Sequence, residues 1–127
     1  MNIIKAIIVL SVISLSACTT KGSLNYTNAD GEEKLACEFE FVGSPSVDKY
    51  AVEYALSYCA KSAVRKGYTI KEKYLLDLDT RLPSAPDGKV WTHDLAKTEY
   101  NKKLITKKEY GYLVAYIDLG FNRNNSK

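Results

Sequence analysis

The chain has 127 residues, 46% of them hydrophobic and 26% charged, with a formal net charge of +3. This length suits a single domain with a modest core, and so small a positive excess gives no electrostatic argument for nucleic-acid binding. With three cysteines and a single histidine, the chain has few side chains that could form a metal site or the catalytic group of a nucleophilic enzyme.

The first 17 residues have the organisation of a secretory signal peptide. Lys5 supplies a positive start, and Ala6 to Leu15 form a nearly uninterrupted apolar run. A helix of ten residues rises only about 15 Å, roughly half of a bilayer's hydrocarbon core, so this run is too short for a good transmembrane helix. The pattern therefore predicts export and removal of residues 1–17.

The segment Leu15-Ser16-Ala17-Cys18 closes this leader and resembles the lipobox of bacterial lipoproteins. The resemblance implies a diacylglycerol linked to Cys18 through a thioether, cleavage before Cys18, and acylation of the new amino group by a fatty acid such as palmitate. Two or three acyl chains anchor durably, because each buried methylene contributes about 0.8 kcal/mol.

The residue after the lipobox cysteine bears on the location of the protein. In enteric-type bacteria an Asp at that place favours retention in the inner membrane, and here it is Thr19. We therefore expect lipid anchoring in the cell outer membrane with the domain facing the periplasm. The inner membrane stays open as an alternative, because this sorting rule varies between bacteria.

Residues 18–34 are polar and rich in turn-forming side chains. They predict a lipidated N-terminus followed by a flexible tether with an average span of roughly 20 Å. The alternative is that part of this segment pairs as an edge strand. The polar residues 122–127 predict a frayed tail, which leaves residues 35–121 as one folded domain.

Two segments with different hydrophobic periods open that domain. Leu35 to Val42 alternates apolar and polar residues, which predicts a strand with one wet face. Val47 to Lys66 repeats apolar residues at spacings of three and four, which predicts an amphipathic helix that ends at Gly67. Cys37 lies on the apolar face of the strand and Cys59 on the flank of the helix stripe.

Cys37 and Cys59 form an even pair in an oxidising compartment, and we predict a disulfide between them. A redox pair usually has the spacing Cys-x-x-Cys, and a zinc site needs more ligands than these cysteines and His93. The disulfide would join the helix to the sheet.

The rest of the domain is predicted to complete the sheet. Tyr68 to Leu78 has an extended pattern, and Asp79 to Lys89, with two prolines and an Asp-Gly, predicts a loop. Val90 to Tyr100 favours a strand, with a short helix begun at Thr92 as the alternative. Tyr110 to Phe121 is apolar on both faces, as a central strand would be.

The expected fold class is therefore α+β. We predict a small antiparallel-rich sheet of about four strands in the order β-α-β-β-β, with one main helix packed on one face.

Catalytic and metal-binding groups are scarce. His93 is the only histidine, no serine lies in a Gly-x-Ser-x-Gly context, and no phosphate-cradling glycine-rich loop occurs. Asp77 and Asp79 begin like a calcium loop, but Arg81 follows where further oxygen ligands are needed. We expect no enzymatic activity, no metal, and no cofactor besides the lipid on Cys18.

The chain contains ten tyrosines, which is the one unusual feature of its composition. Tyr110, Tyr112 and Tyr116 share a face of the predicted last strand, and Trp91 follows the predicted loop. These four side chains are the candidate binding surface, because tyrosine supplies a large contact area at low entropic cost. The alternative is that the rings form the rim of the core and only their hydroxyls are wet.

These features predict a non-enzymatic lipoprotein that binds another envelope component. The expected partners are the membrane, through the lipid anchor, and an envelope protein; a glycan is possible and nucleic acid is not expected. The alternative is a periplasmic inhibitor or immunity lipoprotein that neutralises a toxin or a cell-wall hydrolase. In that case, the loop from Asp79 to Lys89 is the candidate for insertion into the target.

Overall fold

The computed structural model describes residues 18–125, so the predicted signal peptide at 1–17 lies outside the described residues. Two strands and four α-helices follow one another: β1 (Thr19–Thr27), β2 (Glu33–Val42), α1 (Pro45–Arg65), α2 (Tyr74–Asp77), α3 (His93–Asn101) and α4 (Lys107–Asp118). Short 3-10 helices cover Pro86–Gly88 and Phe121–Asn125. The mixed class is confirmed, but the described part of the chain contains a two-stranded antiparallel sheet in place of the four strands expected.

β1 and β2 form a hairpin that begins directly after Cys18. Thr19 pairs with Val42 at the open end and Thr27 pairs with Glu33 at the turn. The prediction of a flexible tether is therefore wrong for β1, and the edge-strand alternative describes it. The segment looks polar because a strand with one wet face needs few apolar residues. Leu24, only 2% exposed, supplies much of its contact with the core.

α1 occupies the centre of the molecule, with the hairpin on one side and α4 on another. The predicted strand and the predicted main helix are both confirmed, as β2 and α1. Two glycines allow the neighbouring elements to come close to α1. A Cβ on Gly22 of β1 would overlap the side chain of Val52, and a Cβ on Gly111 of α4 would lie 2.6 Å from the Val47 carbonyl oxygen.

The segment predicted as a strand over 90–100 is largely α3, so the strand prediction is wrong and the helix alternative is confirmed. Thr92 is the N-cap, and its side chain accepts a hydrogen bond from the Leu95 amide at 3.2 Å. A capped first turn of this kind stabilises a helix by about 1 kcal/mol. Ala96, which is fully buried, faces the core from the middle of α3.

The predicted central strand over 110–121 is mostly α4, which is a correction of the sequence analysis. Thr106 and Glu109 form a capping box: the Glu109 amide donates to Thr106 Oγ1 at 3.1 Å, and the Thr106 amide donates to Glu109 Oε1 at 2.9 Å. The segment is apolar all round because α1 covers one face while residues of the Trp91 cluster cover another. Burial on two sides removes the polar face that distinguishes a helix from a strand.

The extended pattern predicted over 68–78 is also wrong for most of its length. Thr69 makes an isolated antiparallel bridge to Thr27, and the chain then turns into the single-turn helix α2. Leu75 is buried there, and its carbonyl accepts a hydrogen bond of 2.7 Å from the buried Ser57 hydroxyl of α1. The helical turn thus replaces a third strand against the hairpin.

Candidate functional site

Cys18 is exposed and lies outside the disulfide. Its carbonyl oxygen accepts a hydrogen bond of 3.1 Å from the Gly43 amide, one step beyond the first pair of the hairpin. Cys18 is therefore attached to the sheet without a spacer. The lipobox residues 15–17 lie outside the described residues.

Cys37 of β2 and Cys59 of α1 are at bonding distance, with their Cα atoms 6.5 Å apart, which confirms the predicted pairing. The bond joins the hairpin to α1, as expected. A cavity of about 390 Å³ adjoins it, bordered by Leu35, Tyr58 and Lys66 among other residues. Leu35 is 57% exposed and Tyr58 is 46% exposed, so this groove has an open apolar rim.

The predicted binding surface does not form one exposed platform. Trp91 is 7% exposed and Tyr112 only 1%, which places both side chains in the core. Tyr110 and Tyr112 are two residues apart on a helix, so they point about 200° apart rather than along a shared face. Tyr116 is half-buried and packs edge-on against Phe121.

The polar atoms of the two core aromatics are satisfied inside the protein. The Tyr112 hydroxyl donates a hydrogen bond of 2.9 Å to Glu53 Oε1, and burial together with this carboxylate raises the pKa of Tyr112. The Trp91 indole N–H donates to the Pro83 carbonyl oxygen at 2.8 Å. The alternative of core rings with wet hydroxyls is therefore right for the Tyr112 ring and wrong for its hydroxyl, which bonds Glu53.

A different group of side chains surrounds a cavity of about 350 Å³, which we call the acidic cavity. It lies where the end of β2, the first turn of α1, the start of α3 and one face of α4 meet. Its lining includes Val42, Gly43, Asp48, His93, Tyr110 and Asp118. His93 Nε2 and Asp118 Oδ1 are 2.7 Å apart, so the two rims of the cavity are joined by a hydrogen bond.

Asp48 is the most unusual group in the acidic cavity. It is 4% exposed, and its Oδ2 atom has no hydrogen-bond partner within the described residues. Burial and then the nearby charge of Asp118 raise the pKa of Asp48. Burial and then Asp48 likewise raise the pKa of Tyr110. The cavity therefore contains two carboxyl groups: Asp118 bonds His93, whereas the Oδ2 atom of Asp48 has no hydrogen-bond partner within the described residues.

The local sequence explains why Asp48 is buried. It stands in the first turn of α1, where the helix dipole favours a carboxylate, and it shares the buried stripe of Ala51, Val52 and Ala55. An acid in an apolar stripe is the signal that sequence analysis missed. The pairing of His93 with Asp118, 25 residues away, had no local signal at all.

The loop between α2 and α3 carries a second charged feature. Asp79 accepts two side-chain hydrogen bonds from Arg81, at 2.9 and 2.7 Å, and these hold the pKa of Asp79 at about 2. Both side chains are exposed. They border a cavity of about 480 Å³ against α4.

Residues 18–125 contain no group of three or more His, Cys, Asp or Glu side chains arranged to hold a metal ion. No helix in this part of the chain is long and apolar enough to cross a membrane. Comparison of the chain with protein-family models, with curated proteins and with solved structures gives no match.

Proposed function

We propose that this chain is a lipoprotein of the bacterial outer membrane, acylated on Cys18, that faces the periplasm and acts by binding another envelope component. The observation that carries the proposal is the position of Cys18, which ends a lipobox-like sequence and is exposed at the open end of the hairpin. The exposure of Cys18 leaves its side chain accessible for a thioether-linked lipid. The bond between Cys37 and Cys59 suits an oxidising compartment.

Acylation at this position would hold the domain against the bilayer. Since β1 begins at Thr19, no flexible segment separates the acyl chains from the folded domain. The end of the hairpin and the start of α1 would then rest on the headgroups, and the opposite end of the molecule would face the periplasm. Binding by this protein would accordingly take place close to the membrane surface.

Fatty-acid labelling tests the anchor. Cells that express the full-length chain are grown with an alkyne fatty acid, and the protein is analysed by intact mass and by membrane fractionation. We expect label and membrane association in the wild type, and loss of both in Cys18→Ala. Thr20→Ala, a change two residues away on β1, is the matched control and keeps both. A Cys18→Ala protein that retains the label would refute the proposal.

Crosslinking in living cells, followed by purification and mass spectrometry, tests the partner. We expect a specific component of envelope assembly to be captured with the wild type and lost with Cys18→Ala. Recovery of lipid or peptidoglycan alone would contradict a stable protein partner.

One observation favours the alternative of a periplasmic inhibitor. The loop between α2 and α3 is held by the bond from Trp91 to Pro83 and by the pair of Asp79 with Arg81, so it presents a preorganised surface. A captured toxin or cell-wall hydrolase would support this function. In that case Arg81→Ala should weaken inhibition, while Lys49→Ala, an exposed change on α1, should not.

A further inference from the structure

The outer edge of β2 is unpaired. β1 and α1 are the only helices or strands that contact β2 in the described part of the chain, and β1 occupies one edge of it. The Gly43 amide bonds the Cys18 carbonyl, so the alternation of an antiparallel ladder turns the backbone N–H and C=O groups of every second residue away from β1. These outward-directed groups belong to Glu38, Glu40 and Val42. A strand edge of this kind is a template for another extended chain.

The edge runs beside the cavity of about 390 Å³ at the disulfide, which we call the disulfide groove. Leu35 and Phe39 of β2 line one side, and Tyr58, Ser62 and Lys66 line the other at the four-residue spacing of one helix face. Side chains of a strand alternate between its two faces, so a strand added to this edge would direct every second side chain toward α1 and into the groove. The exposed rings and aliphatic side chains of the groove suit apolar residues at these alternate positions.

The opposite face of the same edge is acidic. Glu38 and Glu40 are exposed and lie two residues apart on the wet face of β2. Neither carboxylate has an ion-pair partner among the described residues, and Glu38 lies opposite Ser23 of β1 rather than opposite a basic residue. Side chains directly opposite each other in neighbouring strands interact, and opposite charges there stabilise the pairing. An added strand is therefore favoured when it carries lysine or arginine opposite these glutamates.

The same charges argue against a second copy of β2 as the added strand. Antiparallel pairing of two such edges over this segment would place glutamate beside glutamate, and like charges opposite each other destabilise a sheet. On the groove face, Lys66 lines the space that the added side chains would enter, so basic side chains are disfavoured there. The two faces of the edge thus select different residue types.

We propose that the outer edge of β2 binds an extended segment of an envelope protein as an added antiparallel strand. In that segment basic residues, which pair with Glu38 and Glu40, alternate with apolar residues, which enter the disulfide groove. Recognition of this kind takes affinity from backbone hydrogen bonds and specificity from alternate side chains. The inference rests on the binding function proposed above, whose partner it describes.

Four capped heptapeptides test the added strand. The first alternates valine with lysine and has valine at both ends, and the second has glutamate in place of lysine. The third and fourth repeat the first with N-methyl groups either on the lysine amides, which would bond β2, or on the valine amides, which would point away from it. Each peptide is titrated into ¹⁵N-glutamate-labelled protein, purified in nonionic detergent from cells that express the full-length chain.

We expect the valine–lysine peptide to shift the amide resonances of Glu38 and Glu40 and to slow their hydrogen exchange. Methylation of its lysine amides should weaken binding about tenfold or more, because it removes the hydrogen bonds to β2, whereas methylation of its valine amides should not. Glu38→Lys should reduce the preference for the lysine peptide over the glutamate peptide. Asp94→Lys, the same change of charge at an exposed position of α3, should leave that preference unchanged. Equal weakening by the two methylations would overturn the added strand.

Intact mass of the same sample separates this inference from the lipoprotein proposal. Acylated protein that binds none of the peptides would overturn the added strand and leave the lipoprotein standing. Protein without an acyl group that binds the valine–lysine peptide would refute the acylation and support the edge site. A wild type that forms dimers, with Glu38 and Glu40 protected from exchange before any peptide is added, would assign the edge to a second copy and overturn the inference.

Discussion

The Tyr112 hydroxyl of α4 donates a hydrogen bond to Glu53 Oε1 of α1, at 2.9 Å. This contact joins the two longest helices across 59 residues of sequence, and the Tyr112 ring beneath it is 1% exposed. Tyr112, which the sequence places in the candidate binding surface, is therefore part of the packing between α1 and α4. The Tyr54 ring, 5.4 Å from the Tyr112 ring, extends the same interface.

Two substitutions that shorten the Tyr112 side chain should destabilise the domain by different amounts. Tyr112→Phe keeps the ring and removes the hydrogen bond to a carboxylate, so we expect a loss of about 1–2 kcal/mol in the free energy of unfolding. Tyr112→Ala also leaves a cavity, and a loss of about 3–5 kcal/mol is expected. Chemical denaturation measures both. Tyr74→Phe, at a site 61% exposed, is the control and should change little. A stable Tyr112→Ala protein would contradict the assignment of this ring to the core.

Adding one methyl group at Gly111 should separate α4 from α1. The new Cβ would lie 2.6 Å from both the Val47 carbonyl oxygen and the Tyr50 Cβ, so backbone must move. Overpacking of this kind costs about 1–3 kcal/mol, against a gain of about 1 kcal/mol from the helix propensity of alanine. We expect Gly111→Ala to lower the midpoint of thermal unfolding. Lys107→Ala, an exposed change on the same helix, should leave it unchanged or raise it; a rise in both would refute the close contact.

Loss of the disulfide should weaken the whole domain. The bond closes a loop with a sequence separation of 22, for which the chain-entropy model gives about 3 kcal/mol. We expect Cys37→Ser combined with Cys59→Ser to reduce the free energy of unfolding by that amount in urea denaturation. Cys18→Ala removes a thiol outside the disulfide and should leave stability unchanged. Equal effects of the two variants would exclude the specific role of the Cys37–Cys59 bond.

Asp48 should make the domain less stable as the pH rises. Its pKa is raised above the ordinary value of 3.8 by burial and by Asp118, so the folded state binds its proton more tightly than the unfolded state. The stabilising proton is present below the ordinary value and is lost as the pH rises through the raised pKa. Asp118, His93 and Tyr110 are the other titratable groups facing it.

Asp48→Asn removes this titration. We expect the variant and the wild type to be about equally stable near pH 3, and the variant to be the more stable near neutral pH. Unfolding curves collected across that range measure the difference. A variant that is less stable than the wild type at neutral pH would contradict the absence of a partner for Asp48.

Local patterns were enough to predict β2 and α1. The alternation of Leu35 to Val42 and the three-and-four spacing after Val47 each record burial on one face only. The same method failed for α4, because Leu113 packs on one side and Ala115 on another, which leaves no wet face to give the period. The capping box of Thr106 and Glu109 was a local helix signal in that segment, and it outweighs the strand-like composition that follows.

Much less of the candidate site could be predicted from the sequence. Cys37 and Cys59 could be paired from their count and the expected compartment, and the lipobox resemblance predicts the lipid on Cys18. The acidic cavity could not be predicted, because Asp48 and Asp118 come from different helices, 70 residues apart by their numbers.

The sequence by itself determined the cysteine pair, one strand and the central helix, and it predicts an export leader through its lipobox resemblance. Each of these is encoded in residues that are close together or in residue types that allow one pairing. Only the tertiary structure decided that Tyr112 and Trp91 are buried and that His93 meets Asp118 beside Asp48. The physical reason is that hydrophobic periodicity reports whether a residue is buried, while the identity of its neighbours depends on how distant elements pack.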